Sequence, residues 1–154
     1  MKKIRKIAVE QNFAAISVGK LNELNEYELQ LGPDVKIPGK VFCSTALGTT
    51  GSEFSFQSFA PGTETGFLHS HKSHEELYFF LSGKVEFQVD GTVFPVEEGS
   101  VVRVSPAGKR SVRNNGTTPL LMLCIQYCSN TFSQEDATDG IILKEPVKWK
   151  VSPK

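Results

Sequence analysis

At 154 residues the chain is long enough for one domain with a substantial core. Its 17 Lys and Arg balance 17 Asp and Glu. A neutral chain lacks the basic surface that nucleic acid and anionic membranes reward, so neither is expected as a partner.

Eleven Phe and 13 Gly against two Met, with few helix-favouring runs, point to β structure. Residues 1–40 carry weak signals. Ile4, Ile7 and Val9 suggest a short strand or arm, and Leu21, Leu24, Tyr27 and Leu31 have partial helical spacing without a cap, so the stretch reads as mixed strand and loop. Gly32-Pro33-Asp34 and Pro38-Gly39-Lys40 mark turns. Val41 to Leu47 is an apolar run, and Glu53 to Gln57 alternates polar and apolar residues as a half-buried strand does. From Ser82 onwards turns recur at nearly even spacing, at Ser82-Gly83, Asp90-Gly91, Glu98-Gly99, Pro106-Ala107-Gly108 and Asn115-Gly116. The segments between them are strand-length, which predicts an all-β sandwich or barrel. Ser129 to Gly140 reads as a loop, Ile141-Ile142-Leu143 as an added edge strand, and Pro146 to Trp149 as a segment packing back on the outside. Cys43, Cys124 and Cys128 are an odd, widely spaced set, which is no disulfide framework, and the first two sit in apolar runs as core residues. The basic N-terminus is followed by no signal-peptide run and no segment has bilayer-spanning length, so a soluble, cytoplasmic protein is expected.

All three histidines, His69, His71 and His74, fall in the stretch Phe67 to Gly83, followed by Glu75, Glu76 and the apolar run Leu77 to Leu81. On a strand, residues two apart project from one face, so His69 and His71 point the same way. A short turn over Lys72 to Glu75 brings a following carboxylate back beside them. Two imidazoles and one carboxylate suit iron, manganese, nickel or zinc.

These residues resemble the motifs of the cupin superfamily. The family's first motif is a glycine, five residues, His-x-His, three or four residues, Glu, six residues and Gly. Here His69-Ser70-His71 leads through four residues to Glu76 and through six more to Gly83, with the leading glycine off by one at Gly62. The second motif is a glycine, five residues, Pro-x-Gly, two residues, His, three residues and Asn. Gly99 leads to Pro106-Ala107-Gly108 with one extra residue before the proline. Counted onward from Gly108, Ser111 stands where the motif has His, and Asn115 takes the Asn position.

The resemblance implies a cupin-type β-barrel, the double-stranded β-helix or jelly roll, over one domain, 1–154. Residues 1–40 form an N-terminal arm and strands, 41–128 the barrel, and 129–154 a C-terminal tail. It implies that His69, His71 and Glu76, rather than Glu75, are metal ligands. Strand parity then turns Tyr78 and Phe80 into the lumen with Glu76. Ser111 is a poor substitute for the usual fourth imidazole. Either the metal keeps three protein ligands and open positions, as in non-haem iron oxygenases, or the site works without metal. Gln126 or His74 could complete the sphere. Arg103 and Lys109 read as solvated, whereas Arg113 shares Ser111's parity and is expected to point inward toward an acidic substrate.

The expected function is that of a metal-binding cupin, a metalloenzyme of dioxygenase-like or isomerase-like type, acting on a small organic molecule in the barrel. Tyr78, His74 and Glu75 are its candidate proton shuttles. The alternative is a non-catalytic cupin that binds or senses a small molecule. A homodimer is expected from the resemblance.

Overall fold

The computed structural model describes residues 2–149. Its centre is a five-stranded antiparallel sheet in the order β10-β7-β12-β6-β5. The strands are β5 (Lys40–Phe42), β6 (Glu53–Phe59), β7 (His74–Ser82), β10 (Val101–Val104) and β12 (Leu120–Cys128). Facing it is a three-stranded sheet, β11-β8-β9, made of β8 (Lys84–Val89), β9 (Thr92–Glu97) and β11 (Arg110–Arg113). Isolated bridges Glu64↔Arg113 and His69↔Arg110 lay the chain before β7 alongside β11. The result is an all-β jelly roll in which two sheets face each other and are not joined into a closed ring. The β8–β9 turn falls at Asp90-Gly91, where both residues have positive φ (48° and 84°), as a tight hairpin turn requires.

Apolar residues of the two inner faces meet in one cluster: Phe59, Tyr78, Phe80, Val85, Phe87, Val96, Val104, Val112, Leu120, Met122 and Cys124. Phe87 lies at its middle, 4.9 Å from the Tyr78 ring and 6.0 Å from that of Phe80. Buried Asn114 closes the end, donating to Phe59 O and Thr118 O at 2.9 Å and accepting from Gly116 N at 3.0 Å.

The N-terminal region is more regular than its sequence suggests. β1 (Arg5–Val9) pairs with β2 (Ala14–Ser17), and β3 (Glu28–Leu31) with β4 (Val35–Pro38). Between the hairpins Leu21–Glu26 is a 3-10 helix. Its three-residue turn puts Leu21 and Leu24 on one side, so the partial helical spacing was real but of the tighter kind. Leu24 and Tyr27 join Val18, Val41 and Cys43 in a second apolar cluster. The run from Val41 divides into β5 and a single helical turn, α1 (Ser44–Leu47).

This second cluster reverses the reading of β6. Phe54 and Phe56 turn away from the cavity to pack against it, while Ser55 and Gln57 face inward, buried. A strand covered on both faces need not put its polar side toward water. At the other end, residues 141–143 form no strand and 146–149 do not pack back. Ile142 is 97% exposed and Trp149 89%. Three consecutive apolar residues, with Pro146 three positions on, offer no alternation to dock on a sheet edge. No helix among the described residues is long and apolar enough to cross a membrane.

Candidate metal and ligand site

β7 positions the carboxylate. Its alternation sends Glu76, Tyr78 and Phe80 inward and Glu75 and Leu77 to the other face. Glu75 is thereby removed from the cavity and held by Arg103 and Tyr127, the latter at 2.6 Å, so it is no proton shuttle there. The histidines come from the preceding segment, which is extended but not a regular strand, since β7 begins only at His74. His69 is pinned by reciprocal backbone bonds with Arg110 (3.3 and 3.0 Å), and His71 N donates to Pro106 O at 2.8 Å. These anchors leave one donor atom from each of His69, His71 and Glu76 within 4.8 Å of the others. The two imidazoles stand edge-on, 5.5 Å apart.

The two carboxylate oxygens of Glu76 have different partners. Oε2 accepts from the Tyr78 hydroxyl and from Arg110 Nε at 3.0 Å, with Arg110 Nη2 at 2.9 Å. Oε1 faces His71 Nε2 at 3.3 Å and receives the Cys124 thiol at 3.4 Å. Burial would raise the Glu76 pKa, but the His69 ring, the Tyr78 hydroxyl and the Arg110 charge together hold it well below the ordinary 4.5. Burial, then the neighbouring Cys124 and Glu76, pushes the Tyr78 hydroxyl upward, so it stays a donor rather than a base. Burial and Glu76 likewise keep Cys124 a thiol.

Arg110 was not anticipated. It is 1% exposed, and its Nη1 donates to Gly108 O at 2.7 Å. Strand alternation puts Arg110 and Val112 inside and turns the intervening residues outward. The expectation for Arg113 is therefore corrected: it is an exposed residue bonded to Glu86 at 3.0 Å. Ser111 is half-buried on the parity opposite to Arg110, reaching only the cavity wall. Counted from Gly99 instead of Gly108, the second motif's His falls on Arg110 and its Asn on buried Asn114. The extra residue before Pro106 is offset by one fewer after Gly108.

Beside the cluster opens a cavity of about 840 Å³, lined among others by Lys40, Ser55, Gln57, Tyr78, Phe87 and Gln126. Gln126 is the cross-strand neighbour of Glu76. Phe80 is corrected from lining to core, where it is 2% exposed. His74 is likewise not part of the wall; its Nε2 lies 3.8 Å from Cys128 Sγ.

The donor set fits a cation. Among the described residues the buried side-chain nitrogens with no hydrogen-bond partner are His69 Nδ1, His71 Nε2 and Arg110 Nη2. His71 Nε2 stands 3.3 Å from Glu76 Oε1 and His69 Nε2 3.7 Å from Oε2. An orphaned imidazole nitrogen beside a carboxylate calls for a partner that a cation supplies. His71 is held below its ordinary 6.5 first by burial, which favours the neutral, ligating form. Because the folded pKa values of Glu76 and His71 both lie below their ordinary ones, the unfolded chain binds more protons on acidification. Their contribution is complete above about pH 7 and is lost as pH falls. The metal-free protein is accordingly expected to melt progressively lower in calorimetric scans from about pH 7 to about pH 4. A melting temperature that rises over that range contradicts this electrostatic picture.

A family model described as "Cupin domain" matches residues 55–126. A cupin protein of Bacteroides fragilis superposes with a TM-score of 0.64 at 31% identity, over 76% of this chain and 96% of that one. An uncharacterised protein of Methanocaldococcus jannaschii is 30% identical over 80 residues, 52% of this chain and 62% of its own. An oxalate-binding protein of Thermotoga maritima is 31% identical over 72 residues, 47% of this chain and 59% of its own. The chain thus spans about three fifths of the length of these two curated relatives.

Proposed function

This chain belongs to the cupin superfamily, and from that premise we propose that it holds one divalent cation on His69, His71 and Glu76 and acts as a metalloenzyme on a small organic molecule in the adjoining cavity. The observation that carries the proposal is the convergence of one donor atom each from His69, His71 and Glu76, with His71 Nε2 buried and without a hydrogen-bond partner. Iron, manganese, nickel or zinc suits two imidazoles and a carboxylate, and when bound supplies Lewis acidity, with redox chemistry added for iron and manganese. The chain's own residues orient that set. Arg110 and Tyr78 fix Glu76 through Oε2 and leave Oε1 turned toward His71. The aromatic walls of Tyr78 and Phe87 exclude water from one side of the occupant. The name of the Thermotoga maritima relative supports a small molecule, rather than a macromolecule, as that occupant.

A second reading has its own observation. Arg110 already places a full positive charge against Glu76 from the position of the family's fourth ligand. On that reading the guanidinium stands in for the metal, and the cavity binds its ligand without catalysis. Elemental analysis separates the two. Protein purified without added metal, or reconstituted with each of the four ions and desalted, is expected to retain roughly one ion per chain. Retention of none sinks the metalloenzyme and leaves the binder. For metal-bearing protein, oxygen uptake on an added substrate panel separates dioxygenase-like from isomerase-like chemistry.

A further inference from the structure

The cavity contains a second cation that the cluster does not use. Lys40 opens β5, paired across the sheet with Gln57, and its side chain lines the cavity. The ammonium lies 5.2 Å from the centre of the Phe42 ring. Among the described residues it has no carboxylate within ion-pair distance. Of the other charged side chains on the wall, Glu64 alone makes no ion pair or side-chain hydrogen bond among the described residues. Arg110 is engaged by Glu76, and Lys36 by Glu28 at 3.1 Å. Glu53 Oε1 accepts from the backbone N–H groups of Ser44 and Phe54 at 3.1 and 3.0 Å. An ammonium withdrawn from water without a counter-ion is costly, and here burial presses the Lys40 pKa below its ordinary 10.5, against the weaker opposing pull of Cys124 and Glu76.

Its neighbours have the chemistry of a partial binding site. Ser55 and Gln57 are 2% and 5% exposed, point into the same cavity, and make no side-chain hydrogen bond among the described residues. A hydroxyl and an amide NH2 left open beside an unpaired ammonium are donors waiting for oxygen acceptors. An apolar occupant would leave all three unsatisfied.

We infer that Lys40, with Gln57 and Ser55, forms an oxyanion subsite, which takes the carboxylate or phosphate of an acidic small molecule whose other end reaches the His69, His71 and Glu76 cluster. The inference rests on the reading of this cavity as a small-molecule site and names the charge of what enters it.

Calorimetric titration of the full chain, in the metal state in which it purifies, tests the subsite with two probe sets. Malonate and succinate form one, inorganic phosphate and glycerol phosphate the other. At least one set is expected to bind the wild-type protein. Lys40→Met is expected to weaken that probe about tenfold or more, the range of a lost charge-assisted hydrogen bond, while metal content and melting temperature hold. Lys40→Arg is expected to keep most of the affinity. The set that binds identifies carboxylate or phosphate as the source of the oxyanion. Failure of every probe to bind, or equal binding by Lys40→Met, overturns the inference. If Lys40→Met does not fold, Lys40→Gln is titrated in its place with the same two outcomes. Lys40-dependent anion binding by a protein that retains no metal sinks the metalloenzyme alone and leaves the subsite standing.

Discussion

Arg110→Leu is expected to destabilise the metal-free protein by about 3–5 kcal/mol, lowering its melting temperature by roughly 10 °C. The reason is asymmetric. Leucine supplies comparable apolar packing, but Glu76 is buried and loses both the Nε bond and the nearby Nη2 charge. The Gly108 carbonyl also loses its donor. Burial, already the largest influence on Glu76, is then opposed by the His69 and Tyr78 partners and His71 without the Arg110 charge, so the pKa moves upward from its wild-type position. Raising the folded pKa toward the unfolded value shrinks the acid-dependent part of the stability, so the deficit of the variant relative to the wild-type protein should narrow as pH falls below about 4.5. Arg110→Lys should recover part of the loss, because a single ammonium restores charge but not both the Nε bond to Oε2 and the Nη1 bond to the Gly108 carbonyl. Urea melts at several pH values measure both effects. A cost below about 1 kcal/mol, as for an exposed pair, would show that this ion pair is not buried as described.

Arg110 also shows where sequence reasoning reaches its limit. The His69-x-His71 spacing, the parity of β7 and the even turns from Gly83 onward survive translation into structure, because each depends on local geometry of period two. Arg110 does not, because its identity depends on which glycine starts the count through a loop with one residue gained and one lost. Only the backbone bonds to His69 settle that count. Ser55, Gln57 and Lys40 escaped for a different reason. Polar residues on an alternating strand read as the wet face, and a lysine opening a strand reads as solvated. What inverts them is a second apolar cluster, built by the N-terminal residues around Leu24 and Tyr27, which covers the outer face of β6. No local pattern in Glu53 to Gln57 announces it. The apolar residues at 141–143 mislead in the opposite direction, since hydrophobicity alone does not create an edge for them to join.

His71→Ala is expected to reduce metal affinity by at least about a hundredfold, more than the loss of an outer-sphere partner, while leaving the stability of the metal-free protein nearly unchanged. The two halves of that expectation have one cause. In the folded chain His71 Nε2 is buried without a hydrogen-bond partner, so removing it deletes an unsatisfied polar atom along with a few apolar contacts. The ring's value to the protein appears only when an ion is present. Competition against a chromophoric chelator reads the affinity, and a thermal melt of the metal-free protein reads the fold. His74→Ala is the matched comparison. Its ring stands 6.2 Å from that of His71 but belongs to the Cys128 side of β7, outside the cavity wall, so its loss should leave affinity within about threefold of wild type, below 1 kcal/mol. If His71→Ala binds metal as the wild-type protein does, the ion is held elsewhere. The buried imidazoles would then need another explanation, and Arg110 would become the sole charge complementing Glu76.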